Sequence, residues 1–269
     1  MTKRPRHRWQ AAAINLGVVG ALLFALSFLP PDTSLADRQA SGVLKFCVPT
    51  SYPPLVTGDA AAPGYDIEIA HAVADALGLK LLVNVLPSIG KDYNPRNWFL
   101  TRAQCDIVGG GVADTVQTRS FMQTVPTQAR TGWIGLSASG TMPTAGSLIA
   151  VLPGTSGLDR VALSTWLRQQ KLRVKPVRST TELSQALLSG EAAGAITERF
   201  VASSLDLAPQ GFVPFWIEGA GFTSFPMALG LWKGDQTLKR AVDHAVRKLE
   251  DSGGLEQLRR SYGVDAELL

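Results

Sequence analysis

The sequence predicts an α/β protein made of two bodies in which strands and helices alternate. Short apolar runs bounded by turn residues recur down the chain, separated by stretches whose apolar residues fall at helical spacing, the pattern of βα units around parallel sheets. The chain has 269 residues and is 45% hydrophobic, enough for two modest domains with real cores. The alternation restarts after Gly132, so a second α/β unit follows the first.

Residues 1–36 read as an address. Lys3, Arg4, Arg6 and Arg8 precede an uncharged, mainly apolar run from Ala11 to Leu29, Pro30 and Pro31 break it, and Ser34-Leu35-Ala36 offers small residues to a signal peptidase. A Sec-type leader cut after Ala36 is expected. The alternative is an uncleaved anchor, since the run is nearly long enough to span a bilayer. Either places the globular part in the periplasm. The cut removes four of the 26 Lys+Arg and one of the 22 Asp+Glu, leaving 22 basic against 21 acidic residues, or +1. The pI of about 9.2 is therefore no sign of a nucleic-acid partner.

In the first body Val43 to Val48 is the first expected strand, and the loop Pro49-Thr-Ser-Tyr-Pro-Pro54 carries Tyr52 away from its carboxyl end. Gly64-Tyr-Asp66 opens a helix with Ile67, Ile69, Ala70, Val73 and Leu77 on one face, and Gly78 closes it. Lys80 to Leu86 is the second strand, Asn97 to Gln104 a short helix, and Asp106-Ile-Val the third strand. That strand stops at Gly109, Gly110 and Gly111, where a ligand could meet bare backbone. A short helix near Gln117 to Met122 follows and carries Arg119, whose planar fork of donors suits a carboxylate or phosphate.

In the second body Trp133 to Leu136 and Leu148 to Leu152 are strands, and Pro153-Gly-Thr-Ser-Gly157 is a turn leading into a helix. Leu172 to Val177 is another strand, Ser179-Thr-Thr-Glu182 a capping box, and Ala193 to Thr197 a buried strand ending at Glu198-Arg199. Phe212 to Ile217, a glycine-rich crossing from Gly219 to Pro226, a strand from Met227 to Trp232, and two helices over Gln236 to Leu249 and Leu255 to Tyr262 complete the chain. Trp98, Trp133 and Trp232 are expected as packing residues.

Cys47 and Cys105 are the two cysteines. On neighbouring parallel strands Cys47 falls late and Cys105 at the start, roughly 13 Å apart at about 3.3 Å per residue. A bridge needs Cα atoms within about 7 Å, so this register leaves both free, and a shifted register reverses the conclusion. His7, His71 and His244 lie far apart, with no metal or triad spacing. Gly109 to Gly111 fits neither a dinucleotide nor a P-loop pattern, and Gly154-Thr-Ser-Gly157 is not a nucleophile elbow. No cofactor is expected.

The ordered segments "LKFCVPTSYPPL", "GYDIEIAHAVADALG", "CDIVGGGVADTVQTRSF", "LIAVLPGTSG", "TTELSQALLSGEAAGAITERFVA" and "MALGLWKGDQTLKRAVDHAVRKLEDSGGLEQLRRSYGV" resemble the type 2 periplasmic solute-binding proteins, in the family 3 or amino-acid-binding class that feeds ABC importers. The resemblance covers about residues 43 to 264. It implies two α/β lobes, each with a mainly parallel sheet, joined by two hinge strands near Ala129 to Gly132 and Gly219 to Pro226. Lobe one would take residues 37–130 and 226–269, lobe two the inserted 131–225. A small solute would bind between them, with an ABC permease as partner and the protein a monomer.

By the same resemblance Arg119 would hold a ligand carboxylate, assisted by Gly111 and Ala113. Tyr52 and Tyr93 would pack over the ligand, Thr155 and Ser156 would face its anionic end from lobe two, and Glu198 would receive its ammonium group. Arg119 alone reads equally as a surface arginine, and Glu198 as a helix cap. Three departures bear on the solute: one extra residue between Asp106 and Arg119, no hydroxyl at Ala113, and Pro49 where many amino-acid binders keep an acid. Together they leave a small polar or anionic solute, amino-acid-like or an organic acid. The two cysteines and Arg96 to Phe99 also resemble the binding-protein-like accessory proteins of quinoprotein methanol and alcohol dehydrogenases, whose cleft would grip a protein segment. A third alternative is a cyclohexadienyl-dehydratase-like enzyme with Glu198 as general acid. A binding protein needs the same two charges, so the main expectation is a protein without catalysis.

Overall fold

The computed structural model describes residues 6–26, 31–90, 92, 94–153, 158–217, 222 and 224–264. The chain divides into two units, Met1–Thr33 and Ser34–Leu269. The first contains α1 (Arg6–Leu26), an exposed helix. Among the described residues no helix is long and apolar enough to cross a membrane.

The second unit holds two five-stranded sheets among its described residues. The first sheet contains β1 (Val43–Val48), β2 (Lys80–Val85), β3 (Ile107–Val108), β4 (Met122–Thr131) and β10 (Phe225–Trp232), in the order β2-β1-β3-β10-β4. The second contains β5 (Trp133–Ser137), β6 (Leu148–Val151), β7 (Arg173–Pro176), β8 (Gly194–Glu198) and β9 (Val213–Trp216), in the order β7-β6-β8-β5-β9. In each sheet four strands point one way and one runs against them: β10 is antiparallel to β3 and β4, and β5 to β8 and β9. Each reversed strand follows a passage between sheets, from β4 through Gly132 into β5 and from β9 into β10. Two lobes are thus the observed architecture, and each sheet is mixed, with two parallel and two antiparallel pairings rather than the mainly parallel ones expected.

Helices cover both sheets. In lobe one, α3 (Tyr65–Ala76) and α8 (Gln236–Asp251) bury Ile69, Val73, Leu238 and Val242 in a core shared with Leu44, Phe46, Ile107 and Leu229. Helix α2 (Ser34–Ser41) sits on α8, with Leu35 N–H donating to Thr237 Oγ1 at 3.2 Å and Leu238 N–H to Ser34 Oγ at 3.2 Å. The expected leader cut after Ala36 falls inside this helix. In lobe two, α5 (Arg160–Gln169) and α6 (Thr180–Leu188) bury Leu163, Leu167, Leu183 and Leu187. The capping box forms as expected: Ser179 Oγ accepts Glu182 N–H, and Glu182 Oε2 accepts Arg178 N–H.

Three expectations need correction. The helix over Asn97 to Gln104 is a single 3-10 turn, Pro95–Trp98, because Phe99 takes a left-handed conformation (φ 54°) and the chain turns away. Strand β4 was not anticipated, since Pro126 interrupts its apolar pattern. It is tolerated because β4 is a sheet edge, where one face of the backbone needs no ladder partner. Finally, Cys47 and Cys105 are bridged, with Cα atoms 5.5 Å apart. Strand β3 begins only at Ile107, and the segment before it curls, Cys105 N–H donating to Thr101 carbonyl oxygen, so Cys105 lies beside Cys47 rather than further down a strand. The bridge packs among Ile89, Trp98, Val108, Val112 and Met122. As expected, Trp98 is a packing residue, fully buried with its indole N–H on Asp92 carbonyl oxygen at 2.6 Å.

Candidate functional site

The candidate site lies where the two lobes meet at strand ends, and Glu198 is its centre. Glu198 is the last residue of β8 and caps α7 (Arg199–Ser203), accepting the N–H groups of Phe200 at 3.0 Å and Val201 at 3.2 Å. The cap satisfies donors that the first helical turn cannot satisfy itself. Its other oxygen accepts Thr131 Oγ1, at the end of β4, and the buried Tyr52 hydroxyl of lobe one favours its charged form. The residue is fully buried. Burial pushes its carboxyl above the ordinary range, and the bonds from Thr131 and the two N–H groups, together with the Tyr52 hydroxyl, pull it part of the way back. One carboxylate thereby ties together both lobes and a crossing strand. A ligand ammonium could reach it only by displacing one of these donors.

Neighbouring groups reinforce the junction. The tight turn after β1, with Tyr52 N–H on Val56 carbonyl oxygen at 2.7 Å, buries the Tyr52 ring against Phe200 in an edge-on contact at 6.0 Å. Phe200 thus belongs to the lobe-one core although its helix starts from the lobe-two sheet. Arg199 donates to Arg130 carbonyl oxygen at 2.7 Å and lies over the Phe200 ring. Arg130 in turn binds Ser224, through Nε to Oγ at 2.9 Å and Nη2 to the carbonyl oxygen at 2.7 Å, joining the two crossings.

The glycine corner faces the protein itself. A Cβ at Gly109 would come within 2.4 Å of the Phe46 ring, and one at Gly110 within 2.5 Å of Val56 and 2.6 Å of Pro49. The expectation that a ligand meets bare backbone at these two positions is therefore corrected: close internal packing is what requires glycine there. Gly110 N–H donates at 2.7 Å to Asp66 Oδ2, from the first turn of α3. Asp66 is fully buried, and burial raises its carboxyl from an ordinary 3.8 to about 7, with the Gly110 N–H pulling the other way.

Arg119 stands in the last turn of α4 (Val116–Phe121), a helix capped by Thr115 Oγ1 accepting Thr118 N–H. Its side chain is 55% exposed, and Nη1 lies 3.5 Å from Asp114 Oδ2. The other Asp114 oxygen accepts Thr124 Oγ1 at 2.8 Å. Among the described residues no hydrogen bond or ion pair links Arg119 to Glu198, so the two charges expected to flank a ligand are not brought into contact. Gly111, with φ 124°, and Ala113 are buried beside this segment, and Ala113 pairs with Met227. Tyr93, Thr155 and Ser156 lie outside the described residues. No cluster of three or more His, Cys, Asp or Glu that could hold a metal occurs among the described residues.

The sequence reading did not single out Asp66, Asp114 or Thr131 as site residues. Asp66 carried one available signal, an acid amid the apolar face of a helix just after Gly64. The partners of Asp114 and Thr131 are set by strand pairing, which leaves no local mark.

Comparison with solved structures places the architecture among known ones. A histidine-bound substrate-binding protein of an ABC uptake transporter from Streptococcus pneumoniae is similar at 16% identity, with 87% of this chain and 97% of that chain covered and a TM-score of 0.66. An ancestral amino-acid-binding protein, AncCDT-1, a precursor of cyclohexadienyl dehydratase, is similar at 20% identity, covering 85% and 99%, with a TM-score of 0.61. An ancestral arginine-binding protein bound to arginine is similar at 18%, covering 82% and 98%, with a TM-score of 0.61. No match was found among curated proteins. At these identities the structural likeness establishes the fold. A family model matches residues 44–265, nearly the whole of the second unit. The chain belongs to the bacterial extracellular solute-binding proteins, family 3.

Proposed function

We propose that this protein captures a small polar solute between its lobes in the periplasm and delivers it to an ABC permease, acting as a monomer after export by a Sec-type leader. No catalytic step is part of this proposal. The observation that carries it is the junction at Glu198, where Tyr52, Thr131 and the start of α7 meet on one buried carboxylate. Such a junction lets a hinge motion expose or cover polar groups together. The histidine and arginine held by similar structures support a solute of amino-acid size. Its candidate contacts are Arg119, Tyr52, Tyr93, Gly111 and Ala113 on lobe one, and Glu198, Thr155 and Ser156 on lobe two. The test is a thermal-shift screen with amino acids, organic acids, small amines and amides. At 100-fold excess over Kd a true solute stabilises by about 2.7 kcal/mol. A flat screen would remove the reading.

One observation favours a second reading. Glu198, Arg119 and the Gly110 N–H already have partners within the chain, which leaves fewer polar groups for a small molecule. The cleft would then serve a protein segment, as in an accessory partner of a periplasmic quinoprotein dehydrogenase. A flat solute screen together with a stable complex with such an enzyme would select it.

A further inference from the structure

Arg119 already has a partner within its own chain. Three features combine at this point. Asp114 places Oδ2 3.5 Å from Arg119 Nη1, so the guanidinium already faces a carboxylate of its own chain. Asp114 is not a loose surface acid: its side chain is 12% exposed, its other oxygen accepts Thr124 Oγ1 at 2.8 Å, and its backbone N–H donates to Pro226 carbonyl oxygen at 2.8 Å. Swinging the carboxylate aside would break the Thr124 bond and leave a poorly solvated charge, which is costly. Arg119, by contrast, is half-exposed and belongs to a helix of six residues. The fixed member of the pair is therefore the acid and the movable member is the arginine.

We infer that Asp114 acts as a built-in stand-in for a ligand carboxylate, making it a specificity-determining residue that turns the site toward solutes lacking one. This deepens the solute-capture reading and rests on it. An incoming carboxylate would have to share Arg119 with Asp114, and the two negative groups would repel across one guanidinium. A neutral amide, an alcohol or an amine meets no such penalty, and a cation would gain from Asp114. Affinity for the wrong solute is lowered by a like charge already in place, a repulsive element of the kind that sets specificity in many binding sites.

The experiment uses matched probes that differ only in the carboxylate: acetate and acetamide, succinate and succinamide, L-alanine and L-alaninamide. Each is titrated by thermal shift against the purified parent chain, Asp114→Asn, and Asp114→Asn combined with Arg119→Ala. Asparagine can still accept from Thr124, and Asp114→Ser serves if the asparagine variant does not fold. The parent should favour the amide of a pair over its acid. Asp114→Asn should bind at least one acid tenfold or more tighter than the parent, and Arg119→Ala should cancel that gain. A parent that binds acids as tightly as Asp114→Asn overturns the stand-in role while leaving solute capture in place. A variant that gains nothing for acids, while the parent responds to amides or amines, overturns it too. Silence of every chain toward every probe overturns the stand-in role as well, and solute capture is then decided by the wider screen alone.

Discussion

Asp66→Asn should flatten the pH dependence of stability. The carboxyl is fully buried, Oδ2 accepts Gly110 N–H, and Oδ1 has no hydrogen-bond partner among the described residues. Burial holds it near 7 against an ordinary 3.8. Between those values the folded state keeps a proton that the unfolded chain has released, so folding is favoured by acid. The contribution is fully present below about pH 3.8 and is lost as pH rises through about 7. At about 1.4 kcal/mol per pH unit the whole interval amounts to about 4 kcal/mol, of which about 3 falls between pH 5 and 8. Glu198, also raised by burial, acts in the same direction. Asp92 and Glu256, both lowered and partly exposed, act in the opposite one: their contribution is present above the ordinary carboxyl range and fades in acid. Asparagine keeps an acceptor for Gly110 without a charge to desolvate. Urea unfolding at pH 5, 6, 7 and 8 should show the parent losing stability across the series and Asp66→Asn losing about 3 kcal/mol less. Equal slopes for the two proteins would refute the reasoning, since they would mean that Asp66 ionises at its ordinary pKa in the folded chain.

Replacing both Cys47 and Cys105 by serine opens a link spanning 58 residues, and the unfolded chain regains about 4 kcal/mol of loop entropy. The urea midpoint should fall accordingly, and a reductant should reproduce the fall in the parent. An unchanged midpoint would show that the curl before β3 holds without the bridge. Tyr52→Phe removes the buried hydroxyl that favours the charged form of Glu198, at a cost of about 1–3 kcal/mol. Because it also raises Glu198 further, the loss should be larger at pH 8 than at pH 5. An equal loss at both would mean that the phenol acts through packing on Phe200 alone.

Most of the framework was legible in the sequence. Strand β1, helix α3 closed by Gly78, the capped helix α6 and the restart after Gly132 each carry their signal within a few residues, as apolar spacing or turn chemistry. Strand β4 was hidden because Pro126 argues against a strand unless the position is known to be an edge. The cysteine bridge was hidden because a distance extrapolated along a straight strand does not include the curl at Thr101 to Cys105. The same limit applies at the site. Arg119 and Glu198 stand out as charges at the ends of predicted elements, but nothing near Glu198 in the sequence announces Thr131, 67 residues away, or the Tyr52 hydroxyl from the other lobe.

The amino-acid sequence by itself determined the family, the two α/β bodies and the ends of their strands at which polar groups gather, because periodicity and capping act over short range. Only the tertiary structure decided which of those polar groups are already paired. Asp66 closes on Gly110 across 44 residues, and Asp114 reaches Thr124 only after α4 reverses the chain. Both pairings depend on sheet register and on the direction in which a strand is entered, and a hydrogen bond is a matter of tenths of an ångström that residue spacing cannot specify.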